Sequence, residues 1–198
     1  MRPLWYIDIS KENDKKTERD LMDFSILYAI QNLHTNFLDT AIVKLTDLIG
    51  SYGEIWLIAA AVMLTNRKTR RCAYTMVLSY LIVFGVGQFV LKDLVARVRP
   101  CQIDTAVALL VERPTSYSFP STHAAWAFAA ATSVFLHHKK AGIAVLVLAA
   151  LIAFSRLYLF VHFPSDVLGG IVLGVLAALL AKKIVTIVEA KIPDKYKE

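Results

Sequence analysis

The stretch RRCAYTMVLSYLIVFGVGQFVLKDLVARVRP, residues 70–100, decides the fold of this chain. Its central part, residues 72–94, is nearly all apolar. An α-helix rises about 1.5 Å per residue, so an apolar block of this length can cross the hydrocarbon core of a bilayer. Arginines precede the block, and a lysine and two arginines follow near its end. The stretch therefore predicts a transmembrane helix with basic ends.

Outside this stretch the chain contains five more helical blocks, at residues 36–50, 53–65, 121–136, 141–160 and 165–187. Short polar hinges separate the blocks, and 57% of the 198 residues are hydrophobic. A soluble domain of this length is usually nearer half apolar. The sequence therefore predicts an all-α protein, an integral membrane bundle of about six transmembrane helices.

The same pattern predicts the organisation of the chain along its length. We expect a polar cytoplasmic segment, one membrane-embedded domain and a polar C-terminal tail, at residues 1–20, 21–188 and 189–198. Residues 21–33 suit an amphipathic helix at the membrane interface. The next block carries Asp39, Lys44 and Asp47. The pattern leaves open whether residues 21–50 form one span, or an interfacial helix followed by a span.

The formal net charge of +6 would be compatible with nucleic acid binding, but the positions of the basic residues exclude that interpretation. Basic clusters lie in the hinges 67–71 and 137–140 and at Lys182 and Lys183. All three fall on one side of a six-span bundle, which the positive-inside rule makes cytoplasmic. We therefore predict a multi-pass cell membrane protein with both termini in the cytoplasm and with residues 92–120 and 156–166 facing outward.

Small residues are abundant in the last three blocks. Gly170 and Gly174 form a small-xxx-small pair in the final block. Pairs of this kind allow two membrane helices to approach closely.

Three segments at the outward ends carry the chemically interesting side chains. In KDLVARVRP, Lys92 and Arg99 are seven residues apart, which places both on one face of a helix that Pro100 would end. In SFPSTH, Ser121 can cap the helix that contains Thr122 and His123, and the free N–H groups of a first turn bind anions. The third segment, SRLYLFVHFPSD, ends one block and begins the next with Arg156, His162 and Asp166.

Together these segments predict a site for a phosphoryl group. Cationic side chains and helix N–H groups bind phosphate oxygens. One histidine oriented by an aspartate suits a nucleophile, and a second histidine suits a general acid. Because the chain offers no carboxylate cluster for magnesium or calcium and no thiolate set for zinc, we predict no metal and no cofactor. Arg97 and Arg113 lie beside these segments, and we expect them to contact headgroups or solvent.

The motifs K-x6-RP, PS-x-H and SR-x5-H-x3-D resemble the three signature motifs of the type-2 phosphatidate phosphatase superfamily, also called lipid phosphate phosphatases. The motifs cover residues 92–166, and the block layout is similar over about 24–187. The resemblance implies that His162 attacks phosphorus to form a phosphohistidine while Asp166 holds its other ring nitrogen. It implies that His123 protonates the leaving oxygen. It also implies a set of phosphoryl-binding residues: Lys92, Arg99, Arg156, Ser121 and the backbone N–H groups of Thr122 and His123.

The resemblance also bears on the identity of the substrate. Members of this family usually carry glycine at the position of Thr122, and the threonine side chain could narrow the pocket. The short chain and outward site resemble bacterial undecaprenyl-diphosphate phosphatases, which implies hydrolysis of undecaprenyl diphosphate to undecaprenyl phosphate in cell wall biogenesis. Phosphatidylglycerophosphate and phosphatidate are the alternative substrates. An anion transporter or channel is the alternative of another class, and the sequence does not indicate an oligomeric state.

Overall fold

The computed structural model describes residues 21–191, and every regular element in that range is helical. The predicted N-terminal segment 1–20 and the end of the predicted C-terminal tail, 192–198, lie outside the described residues. The helices are α1 (Leu21–Gln31), α2 (Asn36–Ile49), α3 (Glu54–Leu64), α4 (Arg70–Ile82), a π-helical segment (Val83–Leu91), α5 (Lys92–Val95), α6 (Pro100–Ile103), α7 (Thr122–His137), α8 (Lys139–Tyr158) and α9 (Pro164–Lys191). The prediction of an all-α fold is confirmed.

Each of the six predicted blocks contains a helix, but the helices differ in how they can cross a membrane. Three helical stretches are long and apolar enough to cross alone: Arg70–Ile103, which runs from α4 to α6, Lys139–Tyr158 and Pro164–Lys191. The α7 helix has 16 residues and lies among them. The prediction of an integral membrane bundle is confirmed.

The helices α2 and α3 satisfy the length and composition of a span only as a pair, and the pair is bent by 54°. The bend lies at Gly50 and Gly53, whose φ angles of 79° and 70° favour glycine because it has no Cβ. The two predicted blocks at 36–50 and 53–65 therefore correspond to the two helices of one bent pair. The α1 helix precedes them as a separate helix, so residues 21–50 do not form one continuous helix.

The centre of the bundle is α7, whose many alanines are almost fully buried. It packs closely against α9 at the predicted glycine pair. A Cβ on Gly170 would lie 2.3 Å from the carbonyl oxygen of Ser121, and one on Gly174 would lie 2.2 Å from that of Ala125. The close approach predicted for this pair is thus confirmed, and it places the start of α9 directly against the start of α7.

The outer faces of the long helices are apolar and exposed. On α9, Leu168, Val172 and Leu176 follow one another at intervals of four residues and are each more than half exposed. A continuous apolar stripe of this kind on a helix surface is suited to lipid contact.

The bundle has two distinct ends. At one end Arg71 pairs with Glu189, and Thr75 Oγ1 lies 3.0 Å from His137 Nε2. At the other end the N–H of Ser121 donates to the carbonyl oxygen of Asp166 at 3.0 Å. All three motif segments meet at this second end, which we call the site end.

Candidate active site

The first motif does not end as one regular helix. The α5 helix ends at Val95, and Ala96 adopts a left-handed conformation with φ of 47°. The following residues are not helical, and Pro100 begins the short helix α6 instead of ending a helix. A proline at the first helical position loses no hydrogen bond because that N–H has no intrahelical acceptor. The prediction that helical spacing aligns Lys92 with Arg99 and that Pro100 ends their helix is wrong.

Lys92 and Arg99 nevertheless meet, at Ser116 of the connection before α7. Lys92 Nζ lies 3.3 Å from Ser116 Oγ, and Arg99 Nη2 donates to the same oxygen at 3.0 Å. Arg99 Nε also donates to the Ser116 carbonyl oxygen at 2.7 Å. Both cations are about 95% buried. Neither cation forms a salt bridge with a carboxylate among residues 21–191, and both are held by the same serine.

The Arg99 guanidinium also contacts His162. Its Nη1 lies 3.1 Å from His162 Nε2 and donates to the Val161 carbonyl oxygen at 2.8 Å. A guanidinium nitrogen can only donate, so Nε2 must be the accepting nitrogen and the imidazole proton must lie on Nδ1. The lone pair of His162 Nε2 therefore points towards the cationic site.

On the other side of the ring, Nδ1 of His162 faces Asp166. The distance from Nδ1 to Asp166 Oδ2 is 3.7 Å, within ion-pair range but longer than a hydrogen bond. Ser118 lies beside both groups, because its Oγ is 3.5 Å from Nδ1 and donates to Asp166 Oδ2. The N–H of Phe163 donates to the same carboxylate oxygen at 2.9 Å. The carboxylate is thus fixed opposite Nδ1 by donors other than the histidine.

Burial keeps the His162 imidazole neutral. The side chain is 2% exposed and lies in the connection between α8 and α9. Burial, reinforced by the positive charge of Arg99, lowers the pKa of His162 from 6.5 to about 4, against the opposing effect of Asp166. At neutral pH the ring is therefore uncharged, and its Nε2 keeps the lone pair that faces Arg99.

The second motif opens α7 at the site end. Ser121 is the N-cap residue, as predicted, but its side chain makes no capping hydrogen bond. Its hydroxyl is fully buried and has no hydrogen-bond partner among residues 21–191. A buried hydroxyl without a partner costs free energy, which an anion at the helix N-terminus would recover. This arrangement fits the predicted role of Ser121 as a phosphoryl ligand.

Thr122 replaces the glycine that the family resemblance leads one to expect. It is buried, and a Cβ built on Gly87 of the π-helical segment would lie 3.5 Å from Thr122 Cγ2. The threonine methyl group therefore packs against Gly87.

His123 lies on the first turn of α7. Its Nε2 is 3.3 Å from the carbonyl oxygen of Gly50, at the bend between α2 and α3. Its ring is within electrostatic reach of His162, Arg156 and Lys92. The bend thus supplies an acceptor that can orient the predicted general acid.

Arg156 ends α8 and is 4% exposed. Its Nε donates to Ser155 Oγ at 3.0 Å, and its Nη2 donates to Thr46 Oγ1 of α2. It lies within electrostatic reach of Arg99. Arg156 thus adds a third buried cation to the same end of the bundle.

Arg97 has a different role from the predicted contact with headgroups or solvent, and that prediction is wrong. Its Nη1 donates to Asp166 Oδ1 at 2.8 Å, and its Nη2 donates to Asp23 Oδ2 at 2.8 Å. The arginine side chain is 15% exposed, and α1 contacts it through Asp23.

Sequence reasoning missed four residues of this site: Asp23, Arg97, Ser116 and Ser118. Asp23 and the two serines lie in segments without a motif, and Arg97 lies inside the first motif at a variable position. Their contacts join residues 17 to 74 positions apart in the chain. The signal that could have pointed to the two serines is a serine-rich run, SYSFPS at 116–121, which leads into the second motif.

The donor set of the site contains few metal ligands. Within residues 21–191, no three His, Cys, Asp or Glu side chains are grouped so that they could hold a metal ion. The site instead consists of cations, hydroxyls, two imidazoles and one carboxylate, which are the groups that bind an oxyanion and transfer protons.

The chain is similar to known proteins. Residues 71–188 match the PAP2 superfamily. An undecaprenyl-diphosphatase from Sulfolobus acidocaldarius is 33% identical over 139 residues, which are 69% of this chain and 67% of that protein. The undecaprenyl-diphosphatase BcrC from Bacillus subtilis is 29% identical over 166 residues, 80% of this chain and 82% of that protein.

A solved structure is similar over most of the bundle. The crystal structure of a transmembrane PAP2 type phosphatidylglycerolphosphate phosphatase from Bacillus subtilis superposes with a TM-score of 0.69 and 31% identity. The match covers 88% of this chain and 88% of that one. Residues 71–188, which match the PAP2 superfamily, contain all three motifs and every cation of the site but do not include α1. The chain therefore belongs to the PAP2 superfamily.

Proposed function

We propose that this chain is a membrane lipid phosphatase that cleaves a phosphoryl group from a lipid diphosphate, most specifically undecaprenyl diphosphate, through a phosphohistidine at His162. One observation carries the proposal: the lone pair of His162 Nε2 points at a buried cationic site, with Arg99 Nη1 at 3.1 Å. Neutral imidazole beside cations that bind an oxyanion is the arrangement that attack on phosphorus requires.

The first chemical step uses three of these groups. Nε2 of His162 attacks phosphorus, and the bond from phosphorus to the leaving lipid oxygen breaks. His123 gives its proton to that oxygen, so the lipid product leaves protonated. Asp166 faces Nδ1 and stabilises the positive charge that develops on the ring of His162.

The second step returns the enzyme to its starting state. His123, now without its proton, accepts one from a water molecule, which attacks the phosphohistidine. The bond from phosphorus to Nε2 breaks, and inorganic phosphate leaves. Throughout both steps we assign the phosphoryl oxygens to Lys92, Arg99, Arg156, Ser121 and the first N–H groups of α7.

The choice of lipid is supported by two similar proteins named as undecaprenyl-diphosphatases. The alternative is phosphatidylglycerophosphate or phosphatidate, which the similar solved structure favours by its description as a phosphatidylglycerolphosphate phosphatase. A side-by-side assay of these three lipids with the purified protein in detergent distinguishes undecaprenyl diphosphate from the two alternative substrates. We expect the highest kcat/KM with undecaprenyl diphosphate.

The topology that we propose has the site facing outward. The basic hinges lie at the end opposite the site, where Arg71 pairs with Glu189, and basic clusters favour the cytoplasmic side. The α9 helix then ends in the cytoplasm. Because Asp23 contacts the site end, the first described helix starts on the outer side in this topology.

Release of inorganic phosphate tests the enzymatic function directly. We expect the wild-type protein to release phosphate, both with and without EDTA. We expect His162→Ala to release none. The matched control is His138→Ala, because His138 lies at the opposite end of α7. Binding of the lipid without turnover in the wild type would instead support an anion transporter or channel and contradict the phosphatase proposal.

A further inference from the structure

Arg97 joins two acidic residues from different helices. Its Nη1 donates to Asp166 Oδ1 of α9 at 2.8 Å and to Ser165 Oγ at 2.7 Å. Its Nη2 donates to Asp23 Oδ2 of α1 at 2.8 Å. The guanidinium carbon lies 4.0 Å from the centroid of the Phe163 ring. Every face of the guanidinium thus has a partner at the site end.

The link between α1 and α9 has a second connection through Ser165. The Ser165 hydroxyl donates to Asp23 Oδ2 at 2.6 Å while it accepts from Arg97, and the Ser165 N–H lies 3.3 Å from Asp23 Oδ1. Asp23 is 5% exposed and Asp166 is fully buried. Hydrogen bonds between buried charged groups are among the stronger ones in proteins, so this connection holds its geometry firmly.

The α1 helix is also held by apolar contacts on the same face. Phe24 packs edge-on against Phe163 with ring centroids 5.1 Å apart, and Leu27, one turn after Asp23, is fully buried. The ionic contact is therefore not the only reason why α1 lies at the site end. Removing it should loosen the carboxylate of Asp166 without releasing the helix.

We propose that Asp23 and Arg97 are positioning residues, which through Ser165 and Oδ1 of Asp166 hold that carboxylate opposite Nδ1 of His162. The inference rests on the proposed role of His162 as the nucleophile. Two carboxylates satisfy Arg97, so it is not available to the phosphoryl group. Its effect on catalysis is exerted through Asp166.

The geometry explains why Asp166 needs such support. Its Oδ2 accepts from Ser118 Oγ and from the Phe163 N–H, yet lies 3.7 Å from His162 Nδ1. Arg97 holds the opposite oxygen, Oδ1, and so fixes the rotation of the carboxylate about its own axis. Without Arg97, the carboxylate is free to turn out of its position opposite Nδ1 of His162.

The charge of Arg97 also acts on His162. The titratable and charged groups around the imidazole are Lys92, Arg97, Arg99, His123, Arg156 and Asp166, with Asp23 of α1 on the far side of Arg97. Replacing Arg97 by a neutral residue removes one positive charge and leaves Asp166 uncompensated on that side. Both effects favour the protonated form of His162, so its protonation should move to higher pH.

The test compares Arg97→Gln, Arg97→Lys and Asp23→Asn in a lipid phosphate release assay across pH. Arg97→Gln is expected to lower kcat about thirtyfold with KM changed less than about threefold, since it removes two charge-assisted hydrogen bonds but no phosphoryl ligand. The acid limb of kcat/KM should move up by about one pH unit. Arg97→Lys keeps the charge and should return the acid limb to its wild-type position.

Asp23→Asn is expected to lower kcat about tenfold without raising the acid limb, because the positive charge of Arg97 remains. The matched control is Tyr28→Phe, which removes an exposed hydrogen bond from the same helix to Asp104. It should leave both kcat and the pH profile unchanged. Thermal unfolding in detergent is measured for each variant, and if Arg97→Gln does not fold, the comparison of Arg97→Lys with Asp23→Asn decides.

Several results would overturn the inference. An unchanged kcat and acid limb in the folded variants would remove any role for the connection, and a loss confined to KM would make Arg97 a substrate contact. Wild-type protein that releases no phosphate, or His162→Ala that still releases it, would overturn the proposed function itself. Normal dependence on His162 together with unaffected Asp23 and Arg97 variants would overturn only the positioning role.

Discussion

At the scale of single residues, removal of the Ser121 hydroxyl can distinguish a structural role of this residue from a role in binding phosphate. It is fully buried without a hydrogen-bond partner among the described residues, at the start of α7. Removal of such a hydroxyl should not destabilise the protein, since no hydrogen bond is lost. If the hydroxyl binds the phosphoryl group, its removal should still weaken catalysis.

Ser121→Ala is therefore expected to lower kcat/KM about tenfold, the effect of one hydrogen bond to a charged group, while thermal stability stays the same or rises slightly. Phosphate release and thermal unfolding in detergent provide the two measurements. A suitable comparison is Ser133→Ala, where the hydroxyl donates to the Ala129 carbonyl oxygen at 2.7 Å, far from the site end. A parallel loss of stability and activity in Ser121→Ala would show that the serine is structural.

The protonation of His162 predicts the acid side of the pH profile. Its pKa of about 4 lies below the usual 6.5, so the imidazole of the free enzyme is neutral at every pH above about 4. Protonation removes the lone pair that attacks phosphorus, so activity is lost only as pH falls through this low value. The unfolded chain binds the proton already near 6.5, so the contribution of His162 to stability also falls between pH 6.5 and 4.

We therefore expect kcat/KM, which reports the free enzyme, to show no loss due to His162 between pH 6.5 and 5. The ionisation of the lipid phosphate occurs in the same range and is measured separately by phosphorus NMR, so that its effect can be divided out. An acid limb that remains centred near 6.5 after this correction would contradict the neutral, buried nucleophile.

At the scale of the helices, the contact between α7 and α9 determines where the anion site lies. The carbonyl oxygen of Ser121 would lie 2.3 Å from a Cβ on Gly170, which is too short for any carbon. A side chain there must push the first turn of α7 away from α9. Since the Ser121 N–H also donates to the Asp166 carbonyl oxygen, this shift would separate the second motif from the third.

Gly170→Ala is expected to cost about 2 kcal/mol of stability, typical of an overpacked contact, and to lower phosphate release more than about tenfold. Gly85→Ala is the matched control, because a Cβ on Gly85 meets nothing within 4 Å. Unfolding by heat and activity of the folded fraction are measured for both. Equal behaviour of the two variants would contradict the close contact between α7 and α9.

The helices also illustrate what sequence reasoning can and cannot predict. The spacing of Gly170 and Gly174 was sufficient to predict a close helix contact, because small residues four apart lie on one face. The left-handed turn at Ala96 was not predictable, since alanine rarely adopts this conformation and the apolar pattern continues through it. The bend between α2 and α3 depends on Gly50 and Gly53, which the block pattern showed only as a hinge.

At the scale of the whole molecule, the three motifs were predictable as one site because each lies at the end of an apolar block. Counting the blocks brings those ends to one side of the bundle. The serines at 116 and 118 and the acidic residue at 23 were not predictable in the same way. The two serines lie in a connection without periodicity, and the contact of Asp23 depends on where α1 packs, so no spacing rule describes either.

Counting helices also predicts which side of the membrane the site faces. The connection that contains Glu112 lies between α6 and α7, at the site end, while Lys140 follows the hinge at the opposite end. Both side chains are exposed. The two native cysteines, Cys72 and Cys101, are at most 1% exposed and should give little background labelling.

A membrane-impermeant maleimide applied to intact cells should therefore label Glu112→Cys but not Lys140→Cys. Lys140→Cys should become labelled once the membrane is permeabilised, because basic hinges favour the cytoplasm. Phosphate release by both variants shows that they are folded, since neither residue belongs to the site. Labelling of Lys140→Cys alone in intact cells would mean that the site faces the cytoplasm, and only a lipid phosphate presented at the inner leaflet could then be its substrate.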